Sequence, residues 1–204
     1  MPDDHATPER EDRGVRLPLT GSGAGSRPGA DDDSGDGPGA EPGGRPLPGA
    51  PDRPIYTPPG GPPQNNSIDR GTFAAMGEAN IRAMIEDFYG RLARSEIAEL
   101  FPPACSVELE AAADRSASFF VFLLGGPPLY QQRYGPPMMR ARHLPFRIDE
   151  RARRVWLACF AESLDHAERE LGMTRPQREG FESFLIAFSA WMVNTAGEEG
   201  EPGG

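Results

Sequence analysis

Apolar residues recur at helical spacing in four segments of the chain. From Ile81 to Leu92, large apolar side chains stand three or four positions apart and therefore share one face of a helix. The same spacing runs through 112–123, 155–164 and 181–192, although the early turns of the second segment are small or polar. No run alternates apolar and polar residues over a useful length, so the pattern predicts an all-α fold with four substantial helices.

The fourth predicted helix also carries a start signal. Thr174 is followed three positions later by Gln177, and Pro176 stands in the first turn. This combination is typical of a capping box, in which the two side chains satisfy free backbone groups at a helix N-terminus.

A long irregular stretch, residues 125–146, separates the second and third predicted helices. Glycine and proline interrupt it twice, so only Met138–His143 is free to form a turn or two of helix. Pro145 disfavours the helical conformation at Leu144. Neighbouring helices are normally connected by a handful of residues, so a connection of about 20 residues in a compact domain indicates a functional role.

Residues 1–72 have a different composition from the rest. They are rich in glycine, proline and acidic residues, and Tyr56 is their single aromatic residue. Such a segment buries too little apolar surface to offset its loss of chain entropy, so it is predicted to be a disordered arm. The alternative is a proline-rich ligand for a partner domain. The folded unit is then predicted to span 73–196, followed by a polar tail, 197–204.

Charge and hydropathy restrict the possible partners. The net charge is −10, which argues against nucleic acid, because phosphate binding requires a basic face. The longest apolar run, FFVFLL at 119–124, is far shorter than the ~20 residues of a membrane-spanning helix. The first residues lack an apolar segment, so we expect a cytoplasmic protein. Cys105 and Cys159 show no metal-binding spacing and are expected to be buried thiols.

His143, in RARHLPFRI, is one of three histidines and has three possible roles. It could be an ordinary loop residue. It could be a general base, although the nearby Asp149 and Glu150 have no obvious serine or cysteine partner. It could also be an axial ligand of haem iron, because the chain offers an imidazole, apolar helices and the cations Arg140 and Arg142 for the haem propionates.

Five blocks of sequence carry a resemblance to a known family. They are NIRAMIEDFYGRL (80–92), LFP (100–102), LGGPPLY (124–130), RARHLPFRI (140–148) and VWLACF (155–160). With these blocks the chain resembles the truncated haemoglobins, the short bacterial-type globins, and within them group II, over 73–196. The resemblance implies a two-over-two helical sandwich around one haem b, in which the globin F helix shrinks to a loop and one turn.

The resemblance implies that His143 is the proximal ligand of the iron. On the distal side, Tyr89 and Trp156 match the family's hydrogen-bond donors to the iron-bound ligand. Ala112 and Ser116 fall on the distal face of the E helix, and Ser116 stands where family members usually carry a large apolar residue. Without the resemblance, Tyr89 and Trp156 would be interpreted as core aromatics.

Four further residues match contacts to the haem itself. Phe101 matches an aromatic that wedges the haem, and Arg115, Tyr130 and Arg142 fall where propionate contacts are expected. Each arginine could equally be a plain surface charge. Pro136, or its neighbour, replaces a histidine often found just before the proximal turn.

By this resemblance the protein binds oxygen, and other diatomic ligands, at a five-coordinate iron. Donors in the pocket slow ligand release, which favours storage, sensing or redox chemistry over bulk transport. The alternative is a nitric oxide dioxygenase or a peroxidase-like enzyme, which would need a separate reductase. A third class is a globin-shaped interaction module without haem, with the arm as its working part. The oligomeric state is not indicated by the sequence.

Overall fold

The computed structural model describes residues 51–196, which form six α-helices and one short 3₁₀ turn. The helices are α1 (Thr72–Leu92), α2 (Val107–Leu123), α3 (Leu129–Tyr134), α4 (Met139–His143), α5 (Glu150–Glu170) and α6 (Arg175–Met192), and the 3₁₀ turn is Ala98–Leu100. No strand occurs in this part of the chain, so the all-α prediction is confirmed.

The four long helices form the predicted two-over-two sandwich. Helix α1 packs against α2 and α5, and α5 packs against α6. Aromatic side chains from all four meet at the centre. Ring centroids lie 5.5–5.8 Å apart in each pair among Phe120, Phe160 and Phe181. The centroid of the Phe88 ring lies 4.2 Å from that of Phe160. Buried aromatic pairs of this kind add stability beyond their apolar area, so this cluster fixes the helices around one core.

Polar side chains mark where three of the four long helices begin. The Ser106 hydroxyl accepts a hydrogen bond from the Leu109 N–H, and the Asp149 carboxylate accepts one from the Ala152 N–H. At the start of α6, the Thr174 N–H donates to the Gln177 side chain over 3.0 Å, which confirms the predicted capping box.

The stretch between α2 and α5 contains one predicted and one unpredicted helix. Helix α4 ends at His143, as predicted from the surrounding prolines and glycines. Helix α3 was not predicted; it begins directly after Pro128, at a position where proline is compatible with a helix start. Leu144 is helical, contrary to expectation, with φ −57° and ψ −32°. Its N–H donates to the Arg140 carbonyl and continues the turn, which outweighs the steric preference imposed by the following proline.

The predicted arm, residues 1–72, is too long, because residues 51–71 pack against the helical unit. The Tyr56 N–H donates to the Asn194 carbonyl over 3.0 Å, and Ile68 is buried. The backbone of this segment also passes so close to Gly125 and Gly180 that a Cβ on either glycine would collide with it. The composition alone gave the wrong limit, since backbone contacts and one buried apolar side chain, Ile68, hold the segment. Residues 1–50 and the tail, 197–204, lie outside the described residues.

Two other expectations from the sequence concern the surface. Cys105 is exposed rather than buried, because it stands in the tight turn before α2 with φ 59°. Cys159 is half-buried on α5. Among the described helices, none combines the length and the apolar character needed to cross a lipid bilayer.

Candidate functional site

A cavity of about 570 Å³ opens between the helices, and its wall is mostly apolar. This volume lies in the usual range for small-molecule and cofactor sites. The nine residues that the family resemblance assigns to the haem site all lie on this one wall: Tyr89, Phe101, Ala112, Arg115, Ser116, Tyr130, Arg142, His143 and Trp156. The structure therefore brings the whole predicted set together, although their chemical roles stay predictions.

Helix α2 explains how the fold leaves this space open. Ala112, Ser116 and Phe119 stand four and three positions apart, so they share the helix face that lines the cavity. The first two are small, whereas Phe119 is large and buried. The small residues that weakened the apolar pattern in the sequence are thus the residues that make room between the helices.

His143 reaches the cavity from the last residue of α4. Its Nδ1 lies 2.6 Å from the Met139 carbonyl oxygen, one helical turn back. A carbonyl can only accept, so Nδ1 carries the proton and Nε2 keeps its lone pair. Burial lowers the pKa of His143, and the hydrogen bond to Met139 raises it by less. The imidazole is therefore neutral near pH 7, which is the state that binds a metal ion.

Aromatic rings from α1 and α5 form another part of the wall. The Tyr89 ring meets Phe88 and Phe101 edge-on, with centroids 5.6 and 6.1 Å apart. The Trp156 ring meets Phe88 edge-on at 5.3 Å. Phe88 itself is 1 % exposed, so both rings are braced by the core. Such packing holds the Tyr89 hydroxyl and the Trp156 indole N–H in fixed positions.

The Tyr89 hydroxyl stays protonated in this environment. Burial raises the pKa of Tyr89, while the Ser116 hydroxyl and the positive charge of Arg115 act in the opposite direction with smaller effect. A phenol that keeps its proton is a hydrogen-bond donor over the whole physiological range.

Cations gather beside α3. The Arg115 guanidinium lies over the Tyr134 ring, 5.2 Å from its centroid, and Arg142 donates to the carbonyls of Pro137 and Tyr134 over 3.1 and 3.3 Å. Burial raises the pKa of Tyr130, and the positive charges of Arg142 and Arg115 oppose the shift. This end of the cavity suits an anionic group.

Arg140, the other cation considered beside His143, does not line the cavity. Its guanidinium stacks on Trp191 at 4.5 Å and donates to the carbonyls of Trp191, Val193 and Tyr56. Burial lowers the pKa of Arg140. The side chain therefore ties α4 to the end of α6 and to the segment before α1.

Sequence reasoning missed several residues of the wall. Ile148, Arg153, Phe188 and Met192 also line the cavity. The last two followed the helical apolar pattern and were predicted to be core residues. Nothing in a periodic pattern distinguishes a side chain that packs against its neighbours from one that borders a cavity.

The residues present fit haem b. A flat apolar macrocycle requires an enclosed apolar cavity, its iron requires one neutral imidazole, and its propionates require cations. The cavity offers His143 with Nε2 available, apolar walls from the long helices, and two arginines, Arg115 and Arg142, that both contact Tyr134.

Comparison with known proteins agrees with this chemistry. The bacterial-like globin family model matches residues 72–188. The group 2 truncated haemoglobin YjbI of Bacillus subtilis is 37 % identical over 98 residues, which is 48 % of this chain and 72 % of that protein. A group II truncated haemoglobin from Bacillus anthracis shares the fold with a TM-score of 0.56 and 32 % identity, over 64 % of this chain and 95 % of that one.

A solved structure of the truncated oxygen-avid haemoglobin from Bacillus subtilis is also similar. It superimposes with a TM-score of 0.54 and 34 % identity, over 60 % of this chain and 98 % of that one. The family model covers more than half of the chain, and the curated relative is matched over more than two thirds of its length. The chain therefore belongs to the bacterial-like globins and, within them, to the group II truncated haemoglobins, whose cofactor is haem b.

Proposed function

We propose that this globin binds dioxygen, and other diatomic ligands, in the cavity beside His143, with His143 as the proximal ligand of haem iron. When bound, haem b supplies an iron atom with one coordination position open to a diatomic ligand. The observation that carries the proposal is the neutral, hydrogen-bonded imidazole on the wall of an apolar cavity of about 570 Å³.

His143 supplies the proximal contact through Nε2. The hydrogen bond from Nδ1 to the Met139 carbonyl fixes the tautomer and the plane of the ring. It also makes Nε2 a better electron donor, since an imidazole that shares its other proton is more basic. The low pKa of the buried ring keeps protons from competing for Nε2.

Tyr89 and Trp156 supply hydrogen bonds to the ligand in the cavity. The Tyr89 hydroxyl keeps its proton, and an indole N–H can only donate. Within the described residues, the Trp156 N–H makes no hydrogen bond to the protein. Buried aromatic donors normally find a partner, and a polar diatomic ligand is a suitable acceptor.

These donors slow the release of the ligand. A hydrogen bond to a partly charged acceptor contributes about 1.5–3 kcal/mol, or roughly 10- to 150-fold in a dissociation rate. Slow release favours storage, sensing or redox chemistry over bulk delivery.

The proposal is tested on His143→Gly with and without free imidazole. We expect the parent protein to show the absorption spectrum of a histidine-ligated ferrous haem that binds carbon monoxide. The variant should lose histidine ligation, and added imidazole should restore it by occupying the space left by the side chain. A variant with the parent's spectrum in the absence of imidazole would contradict the proposal.

The same preparation separates ligand binding from turnover. A nitric oxide dioxygenase consumes nitric oxide continuously when oxygen and a separate reductase are supplied. A single stoichiometric reaction under these conditions supports the binding function, and continuous consumption supports the enzymatic alternative.

A further inference from the structure

The segment that follows His143 is held by a residue from before the first helix. The Arg53 guanidinium donates to the carbonyl oxygens of Leu144 and Phe146 over 2.9 and 2.8 Å. It also donates to the Asn194 carbonyl, over 3.0 Å, and to the Asn194 side-chain oxygen, over 2.8 Å. One side chain thus joins the start of the described chain, the turn after His143 and the end of α6.

Asn194 completes this arrangement from the other side. It is fully buried, and its side-chain amide donates to the His143 carbonyl over 3.1 Å. Its side-chain oxygen accepts from the Ile148 N–H, and its own N–H donates to the Ile148 carbonyl over 2.9 Å. Arg53 and Asn194 therefore bind three of the carbonyls between 143 and 146 and fix the connection into α5.

Helix α4 cannot maintain this geometry alone. It has five residues, and isolated helices shorter than about 12 residues are marginal in water. The last carbonyls of a helix have no partner within it, and a cation placed there is favourable. Arg53 is such a cation, and Asn194 supplies a further donor.

We infer that Arg53 and Asn194 are positioning residues for the proximal histidine, an inference that rests on the proposed role of His143. They hold the C-terminal end of α4, from which the imidazole extends. The ring plane is set by the Met139 carbonyl within the same short helix, so any fraying of α4 moves both the ring and its hydrogen-bond acceptor. Residues 51–56 accordingly support the haem site from outside the cavity rather than acting as a linker.

The test measures the iron–histidine bond directly, by resonance Raman spectroscopy of the full-length ferrous protein without added ligand. Arg53→Ala should shift or broaden the iron–histidine stretching band. Haem transfer to excess apomyoglobin should become faster by about 5- to 30-fold, the effect of losing one or two partly exposed hydrogen bonds of ordinary strength. Arg53→Lys keeps the charge but lacks the planar fork, so it should restore the parent's behaviour in part.

Asn194→Asp isolates a single contact. The carboxylate keeps an acceptor for Arg53 and for the Ile148 N–H, but it replaces the amide that donates to the His143 carbonyl. It should therefore shift the band while retaining the folded protein. If Arg53→Ala gives no folded haem protein, Arg53→Lys and Asn194→Asp decide the question by the same two measurements.

Arg178→Ala is the matched control. Arg178 is also a partly buried arginine with several partners, the carboxylates of Asp165 and Glu182 among them, and it stands at the other end of α6. It should lower the melting temperature without moving the band. The inference would be overturned if the band in Arg53→Ala and Asn194→Asp kept the parent's frequency and width. An equal shift of the band in Arg178→Ala would overturn it as well. A parent protein with no iron–histidine band at all would instead overturn the proposed role of His143.

Discussion

The two sides of the haem cavity are built by different means. Tyr89 and Trp156 extend from long helices and are braced by Phe88, which packs into the aromatic core. His143 extends from a five-residue helix that polar contacts hold in place. Apolar packing is non-directional and shared over many atoms, whereas each hydrogen bond depends on one geometry. The Tyr89 side should therefore tolerate small changes better than the His143 side.

The largest expected effect is a loss of global stability on Phe160→Ala. Phe160 is 1 % exposed and contacts rings from α1, α2 and α6. Removing a buried phenyl ring typically costs about 3–5 kcal/mol. Urea unfolding followed by circular dichroism measures the loss. Phe146→Ala, at a ring that is 46 % exposed, serves as the control and should cost much less.

A smaller effect, confined to the ligand, is expected from Tyr89→Phe and Trp156→Phe. Each change removes one donor and keeps an aromatic ring, so oxygen should dissociate roughly 10- to 150-fold faster. Carbon monoxide, a weaker acceptor, should respond less. The iron–histidine band should stay in place in Tyr89→Phe, because its ring contacts with Phe88 and Phe101 remain.

Stopped-flow and flash photolysis measure the dissociation rates of oxygen and carbon monoxide in Tyr89→Phe and Trp156→Phe. Oxygen dissociation rates equal to the parent's in both single variants would make Tyr89 and Trp156 packing residues. If both donors share one ligand atom, the double variant should deviate from the sum of the single effects.

The smallest expected effect comes from comparing two truncations, one that removes residues 1–50 and one that removes residues 1–56. Only the longer truncation removes Arg53 and the hydrogen bond from Tyr56 to Asn194. We expect the second protein to be less stable than the first by about 1–2 kcal/mol, the net value of a few partly exposed hydrogen bonds. Thermal unfolding of the two haem-loaded proteins measures the difference. Equal melting temperatures would mean that the segment contributes nothing to stability.

The sequence predicted the parts of the molecule that have a periodic or local signal. The four long helices follow from their apolar spacing, and the start of α6 follows from Thr174 and Gln177. The end of α4 at His143 follows from the neighbouring prolines. Site residues such as Ala112 and Ser116 required the family resemblance as well, since small residues on a helix carry no chemical signal alone.

The polar contacts around α4 were beyond prediction for a physical reason. Arg53 is separated from Leu144 by 91 positions and from Asn194 by 141, and a hydrogen bond between distant residues leaves no periodic trace. Composition also assigned Arg53 to a disordered arm, because glycine and proline there outnumber apolar residues. Contacts with backbone carbonyls cannot be predicted from the pattern of side chains, because every residue carries the same carbonyl group. One charged residue can therefore hold a segment with few apolar residues against the folded unit. The composition placed the start of that unit about 20 residues too late.

The contact between Arg53 and Asn194 also has a consequence for the order of folding. It joins positions 141 apart, whereas the helices and the capping box at Thr174 depend on local contacts. Contacts that close long loops lose more chain entropy and form after local structure has appeared. The individual helices can thus form while the end of α4 is still free, and the imidazole reaches its final orientation only when the two distant ends of the globin unit meet. Synthesis of the chain on the ribosome delays that step further, since Asn194 emerges after all six described helices are complete.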